Sequence, residues 1–201
     1  MTGDNHYLVP ARPARAELEV KRSRFIADIA RASTAEEARA FVERIRAEFP
    51  DATHHCWAFQ AGPPGDTRAI GCSDDGEPHG TAGRPMLNVL LHAPVGEVVA
   101  VVTRYFGGTK LGTGGLARAY ADAVTLALAQ LETERVQQLQ KRTIVADYRQ
   151  WSSLEHWLKQ WHAEILEITY DSQVRAVIAI AEQYLPALQT HCAQSKITLL
   201  S

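Results

Sequence analysis

With 201 residues, 46% of them hydrophobic, the chain can form one domain or two small ones around an ordinary core. The formal net charge is −2, with 14 Lys+Arg against 15 Asp+Glu in residues 1–131 and 7 against 8 in residues 132–201, so neither half is globally basic and any polyanion contact must be local. Three scattered cysteines (Cys56, Cys72, Cys192) form no C-x-x-C pair, Met1–Arg15 carries no apolar leader core, and no run reaches membrane-span length. These features predict free thiols in a soluble cytoplasmic protein and exclude a disulfide scaffold and a membrane-spanning protein.

Residues 1–15 are polar with Pro10 and Pro13 and read as a loose N-terminal arm. Ala16–Val20 and Arg24–Ile29, around Lys21-Arg22-Ser23, read as a hairpin. A helix is predicted from Ser33, with Glu36 placed for a capping box. Ala38, Phe41, Val42, Ile45 and Phe49 mark its apolar face, and Pro50 ends it. Thr53–Gln60 reads as a strand that returns through the Gly62-Pro63-Pro64-Gly65-Asp66 turn to Thr67–Cys72. An acidic, glycine-rich segment, Ser73 to Pro85, precedes a short helix marked by Met86, Leu87, Leu90 and Leu91.

The run Val98-Val99-Ala100-Val101-Val102 reads as a strand buried on both faces. After Thr103, Arg104 and Tyr105 comes a loop with five glycines, Gly107, Gly108, Gly112, Gly114 and Gly115, and then an alanine-rich helix from about Leu116 to Leu131. Glu132–Val136 reads as a linker, and glycine is absent from residues 116–201. Leu139–Tyr148, Trp151–Trp161, Ala163–Tyr170, Gln173–Ala181, Gln183–Gln194 and Ile197–Leu200 follow as βαββαβ, the ferredoxin-like order. The predicted class is α+β, with an arm at 1–15, an N-terminal domain at 16–134 and a ferredoxin-like domain at 135–201. The Trp151, Leu154, Trp157, Leu158, Trp161 stripe has helical spacing and is read as core rather than as a base-stacking platform.

Strand, glycine loop and helix N-terminus together offer backbone N–H groups and a positive dipole end to an anion. Arg104, Lys110 and Arg118 add charge, with Gly107, Gly108, Gly112, Thr113, Gly114 and Gly115 forming the cradle. The other reading is purely structural: glycines also serve turns and close helix–sheet approach. A Walker A loop is excluded, because Thr113 stands where the lysine belongs. Gly112–Ala117 matches the dinucleotide pattern, but its turn is too long and the preceding chain reads as hairpins.

Asp74, Asp75 and Glu77 are secondary candidates, with Arg84. They have the composition of a Mg²⁺ site facing a phosphate. The reading preferred here is a solvated turn whose carboxylates pair with Arg84 or cap the helix after Gly83. His54 and Cys56 share one strand face and His55 the other. Zinc ligation and a Cys–His nucleophile both fit the residue types, but the spacing matches no closed zinc motif, and a buried structural cysteine is preferred. Gly-x-Ser-x-Gly is absent. No catalytic residue, cofactor or metal is assigned.

The strings Asp74-Asp75-Gly76-Glu77-Pro78, Gly80-Thr81-Ala82-Gly83-Arg84-Pro85, Thr103–Gly108 and Leu111–Leu116 with Arg118-Ala119-Tyr120 resemble the IMPACT family, in particular its bacterial YigZ-like branch; Ala52–Cys56 does too. The resemblance covers about residues 20–130, and the remainder is similar to the small C-terminal domain of that branch. It implies, for the N-terminal part, the α/β sandwich of a small-subunit ribosomal protein domain and of elongation factor G domain IV. For the C-terminal part it implies a domain like elongation factor G domain V. Eukaryotic relatives act in translational control with an additional N-terminal domain not seen in this chain, so their mechanism is not carried over. The resemblance supplies no catalytic residues. The resulting expectation is a translation-linked binding protein rather than an enzyme, contacting RNA or the ribosome through the basic glycine loop. An enzyme or sensor for a small phosphorylated ligand at the same loop is the alternative.

Overall fold

The computed structural model describes residues 6–200. Two compact units divide it, residues 7–136 and residues 137–200 joined by His6. The arm expected over residues 1–15 lies outside the described residues only for residues 1–5. His6–Pro10 is strand β1, and Ala14–Val20 is strand β2. The sequence hides β1 because it is short, ends in proline and pairs with a partner more than a hundred residues away.

In the larger unit, β2 turns into β3 (Ser23–Arg31), and α1 (Ala35–Glu48) leads to β4 (His54–Gln60) and β5 (Ile70–Ser73). Then come α2 (Gly83–His92), β6 (Val98–Tyr105), α3 (Thr113–Ala129) and β7 (Thr133–Gln137). β7 pairs with β1, so Glu132–Val136 is largely strand rather than linker. The main sheet has the order β2-β3-β6-β4-β5. β3 and β4 both run antiparallel to β6, hence parallel to each other, with α1 as their crossover.

The central strand β6 is buried on both faces, as its unbroken apolar run implies. Val98, Ala100 and Val102 pack with α2 and α3, while Val99 and Val101 pack with α1. Period-two alternation therefore assigns each β6 residue to one of two cores. The N-cap of α1 falls one residue later than predicted. Thr34 is its N-cap and accepts from the Glu37 N–H at 3.1 Å, and the Glu37 carboxylate accepts from the Ser33 N–H at 2.7 Å. Ser33/Glu36 and Thr34/Glu37 both fit the capping spacing, and Thr34, with extended backbone, is the one that caps.

The smaller unit runs β8 (Leu139–Ala146), α4 (Tyr148–Gln160), β9 (Glu164–Tyr170), β10 (Val174–Ala181), α5 (Leu185–Gln194) and β11 (Thr198–Leu200). Its antiparallel sheet, β11-β8-β10-β9, is the ferredoxin-like arrangement. Asp147 and Gln150 form a reciprocal capping box at α4, at 2.7 and 2.8 Å, which ends the preceding strand two residues earlier than expected. Trp151, Leu154 and Leu158 enter the core, but Trp157 is 39% exposed and stacks on Trp161 at 5.8 Å. The aromatic stripe is therefore split between core and surface.

Candidate functional site

Beneath the glycine loop lies a buried ion pair. Arg104, the seventh residue of β6, shares strand parity with Val98, Ala100 and Val102 and so points toward α2 and α3. It is only 5% exposed, and its Nη1 donates to Glu77 Oε1 at 2.5 Å. The same carboxylate oxygen accepts from Tyr120 Oη at 2.8 Å. Arg104 Nη2 lies 3.4 Å from Ser23 Oγ, and the guanidinium sits near the Phe25 and Phe106 rings, 5.4 and 5.6 Å from their centroids. Glu77 is 8% exposed, so both charges are spent inside the unit. Arg104 is thus a strut between the acidic segment, the sheet and α3, rather than the surface cation expected from its position beside the loop. A pair of this kind adds little net stability against an apolar substitute, yet losing one partner strands the other charge.

The acidic segment is organised from within. Asp74 Oδ1 accepts from the N–H groups of Ala82 and Gly83, at 3.0 and 2.8 Å, and Oδ2 accepts from the Gly80 N–H at 2.8 Å. Burial pushes this carboxyl's pKa up, but the Gly80, Gly83 and Ala82 donors outweigh it and hold the group below its ordinary value. Asp75 accepts from Arg46 at 2.8 Å and from the His55 N–H at 2.7 Å. The three carboxylates therefore have separate tasks: a cap for α2, a surface pair and a buried pair. Of the two expected uses, pairing with Arg84 or capping the helix after Gly83, Asp74 takes the second. Arg84 is exposed and pairs with no carboxylate among the described residues.

His54 and Cys56 do share a face. His54 Nδ1 is 2.8 Å from the Asp75 carbonyl oxygen, and Cys56 Sγ donates to the Asp74 carbonyl at 2.9 Å. Burial pushes the Cys56 thiol pKa far up, which disfavours the thiolate a nucleophile or metal ligand needs. Among the described residues no three His, Cys, Asp or Glu side chains converge as a metal set.

The glycine loop docks on the β2–β3 turn. The Gly107 N–H donates to Ser23 Oγ at 3.2 Å, and a Cβ on Gly107 would fall 2.0 Å from the Arg22 carbonyl group. Arg22 in turn donates to Thr109 Oγ1 at 3.1 Å. The exposed cations Lys21, Arg22 and Lys110 are gathered at this junction, and Arg118 is exposed one turn into α3. None of the four pairs with a carboxylate among the described residues. The nearby Arg24, by contrast, is held by Glu17, and Arg68 is held by Asp66.

Helix α3 starts at Thr113, three residues before the predicted start, behind Gly112 at φ +75°. Gly112 supplies the positive-φ turn but no cap, and among the described residues no side chain caps the first N–H groups. The first N–H groups, of the exposed Thr113 and Gly114 and the half-buried Gly115, lie at the positive end of the helix dipole. A Cβ on Gly115 would press on Leu111, and Gly108 has φ +82°, so both have local reasons to be glycine. Gly114 has neither: a Cβ there meets nothing within 4 Å. Sequence reasoning missed Lys21, Ser23 and Phe106. Tyr120 entered only within the Arg118-Ala119-Tyr120 string, with no role assigned to its phenol.

The Impact N-terminal domain matches residues 21–128, and a domain of unknown function, DUF1949, matches residues 144–200. The IMPACT family member YigZ of Escherichia coli is 47% identical over 174 residues, covering 87% of this chain and 85% of that protein. The family member YvyE of Bacillus subtilis is 36% identical over 177 residues, covering 88% and 81%. A crystal structure of a protein described as hypothetical is 42% identical and superposes with a TM-score of 0.80 over 98% of this chain and 97% of its own. No helix among the described residues is long and apolar enough to cross a membrane.

Proposed function

The chain belongs to the IMPACT family, and from that premise we propose that it is a translation-linked protein that contacts RNA or the ribosome through the basic loop Phe106–Gly115. The carrying observation is the combination of uncompensated cations, Lys21, Arg22, Lys110 and Arg118, with the uncapped N-terminus of α3. Phosphate groups satisfy both features at once: they neutralise the side chains and accept from the free N–H groups. The net charge of −2 confines such contact to this patch and makes it salt-sensitive. Arg104 serves by holding Glu77 and, through Ser23, the base of the loop. No reaction is assigned to the site.

Ribosome co-sedimentation over a salt series tests this reading. The wild-type protein should pellet with ribosomes at low salt and be released as salt rises. A variant with Arg22→Ala, Lys110→Ala and Arg118→Ala should bind more weakly at low salt and lose about one unit of salt slope per phosphate contact removed. No co-sedimentation at the lowest salt would remove the reading. The uncapped α3 N-terminus also suits a single phosphate of a small ligand. In that case saturable stabilisation by a phosphorylated metabolite replaces ribosome binding.

A further inference from the structure

Phe106 is the exposed aromatic of this surface, with half of its area in water (50% exposed). Its neighbours prevent it from folding inward. The Phe106 N–H donates to Thr53 Oγ1 at 3.2 Å, and the next residue, Gly107, is locked on Ser23 and the Arg22 backbone. The ring lies 5.6 Å from the Arg104 guanidinium carbon, and that group is fixed by Glu77. A large apolar side chain left half in water forgoes part of its burial energy, while the backbone on either side is pinned. Lys110 lies at most about 14 Å along the chain from Phe106, the length of a few nucleotides, and Arg22 docks between them on Thr109.

The geometry points to single-stranded RNA as the ligand of this loop, with an unpaired base stacking on the Phe106 ring while Arg22, Lys21 and Lys110 take the flanking phosphates. The inference rests on the RNA-contacting reading above. An aromatic face beside a cationic track is the general arrangement for single strands, because every base has a π-face and the phosphates repeat. A duplex keeps its bases stacked on one another and offers none to the ring. The exposed cations supply the charge complementarity, and the buried Arg104–Glu77 pair backs the ring without adding to it.

Fluorescence anisotropy with a short labelled RNA of mixed sequence, single-stranded and annealed to its complement, decides the matter. The single strand should bind more tightly than the duplex. Phe106→Ala should weaken single-strand binding by roughly 5- to 150-fold, the range of one base–aromatic stack, at every salt concentration and with the salt slope unchanged. Phe106→Tyr should restore it. Arg22→Ala/Lys110→Ala should instead flatten the slope. Thermal unfolding of each variant, matched to wild type, shows that the fold is retained. If RNA binds and the charge variant weakens it, but Phe106→Ala binds like wild type or duplex equals single strand, the stacking inference falls and the RNA reading stands. If neither RNA form binds at low salt, both fall.

Discussion

Two helices of the larger unit begin behind glycine-containing loops, and they begin differently. Helix α2 is preceded by Asp74–Ala82, and Asp74 accepts from its first N–H, that of Gly83, and from the N–H groups of Ala82 and Gly80 just before it. Helix α3 is preceded by Gly107–Gly112, has glycine at its N-cap and receives no side-chain bond. Carboxylates precede the first start, beside one exposed cation, Arg84, whereas only cations flank the second. A helix N-terminus neutralised by the protein's own carboxylate has no use for an outside anion, whereas one flanked by unpaired cations is available to it. The buried Glu77–Arg104–Tyr120 contacts join the two loops, so the self-satisfied one supports the open one.

The comparison breaks most completely at the joint. Glu77→Ala should leave the Arg104 guanidinium buried without a counter-charge and cost about 3–5 kcal/mol, read as a lower urea midpoint. Ribosome binding should fall with it, since the loop loses its foundation. A variant of wild-type stability would show that the pair is not the joint.

A middle-sized effect is expected at α2. Asp74→Ala removes a cap with three acceptor contacts and should cost about 1–3 kcal/mol, with little change in ribosome binding at temperatures where the variant is folded. The pH dependence has a definite sign. The folded-state pKa of Asp74 lies below its ordinary value of 3.8, so its contribution is complete above that value and is lost as pH falls through the folded one. Chemical denaturation of wild type and Asp74→Asn should therefore show a stability gap at neutral pH that closes as pH drops below 3.8. A gap that persists unchanged into strong acid would contradict the cap.

The smallest stability change should carry the sharpest functional one. Gly114→Asp places at α3 the charge that α2 already has, in space where a Cβ meets nothing. It should stabilise the protein by about 0.3–1 kcal/mol through the helix dipole while suppressing ribosome co-sedimentation. Loss of both stability and binding, or of neither, would mean that the α3 N-terminus is not where the anion sits.

Much of the fold is legible because its signals are local. The β6 run, the α1 and α4 periodicities, and the Pro63-Pro64-Gly65 turn each place an element within a few residues. Strand β1 and its partner β7 are not legible in this way: both are short, and their pairing spans the whole unit. The glycine loop was legible as a candidate, but Phe106 was not, because exposure of an aromatic residue depends on which neighbours fail to cover it. Trp157 shows the same limit from the other side: helical spacing puts it near Leu154 and Leu158, yet it lies past the edge of the core stripe.

By itself, the sequence determined the alternation of β6, the parity that sends Arg104 toward α2 and α3, the glycines that turn the chain before α3, and the βαββαβ order of the smaller unit. Tertiary structure alone decided that Arg104 is neutralised by Glu77, 27 residues earlier in the chain, while Arg22 and Lys110 stay in solvent. Direction along a strand follows from two-residue periodicity. Whether a charge is buried or free depends on which opposite charge the fold brings to it, and that pairing is set by contacts distant in sequence.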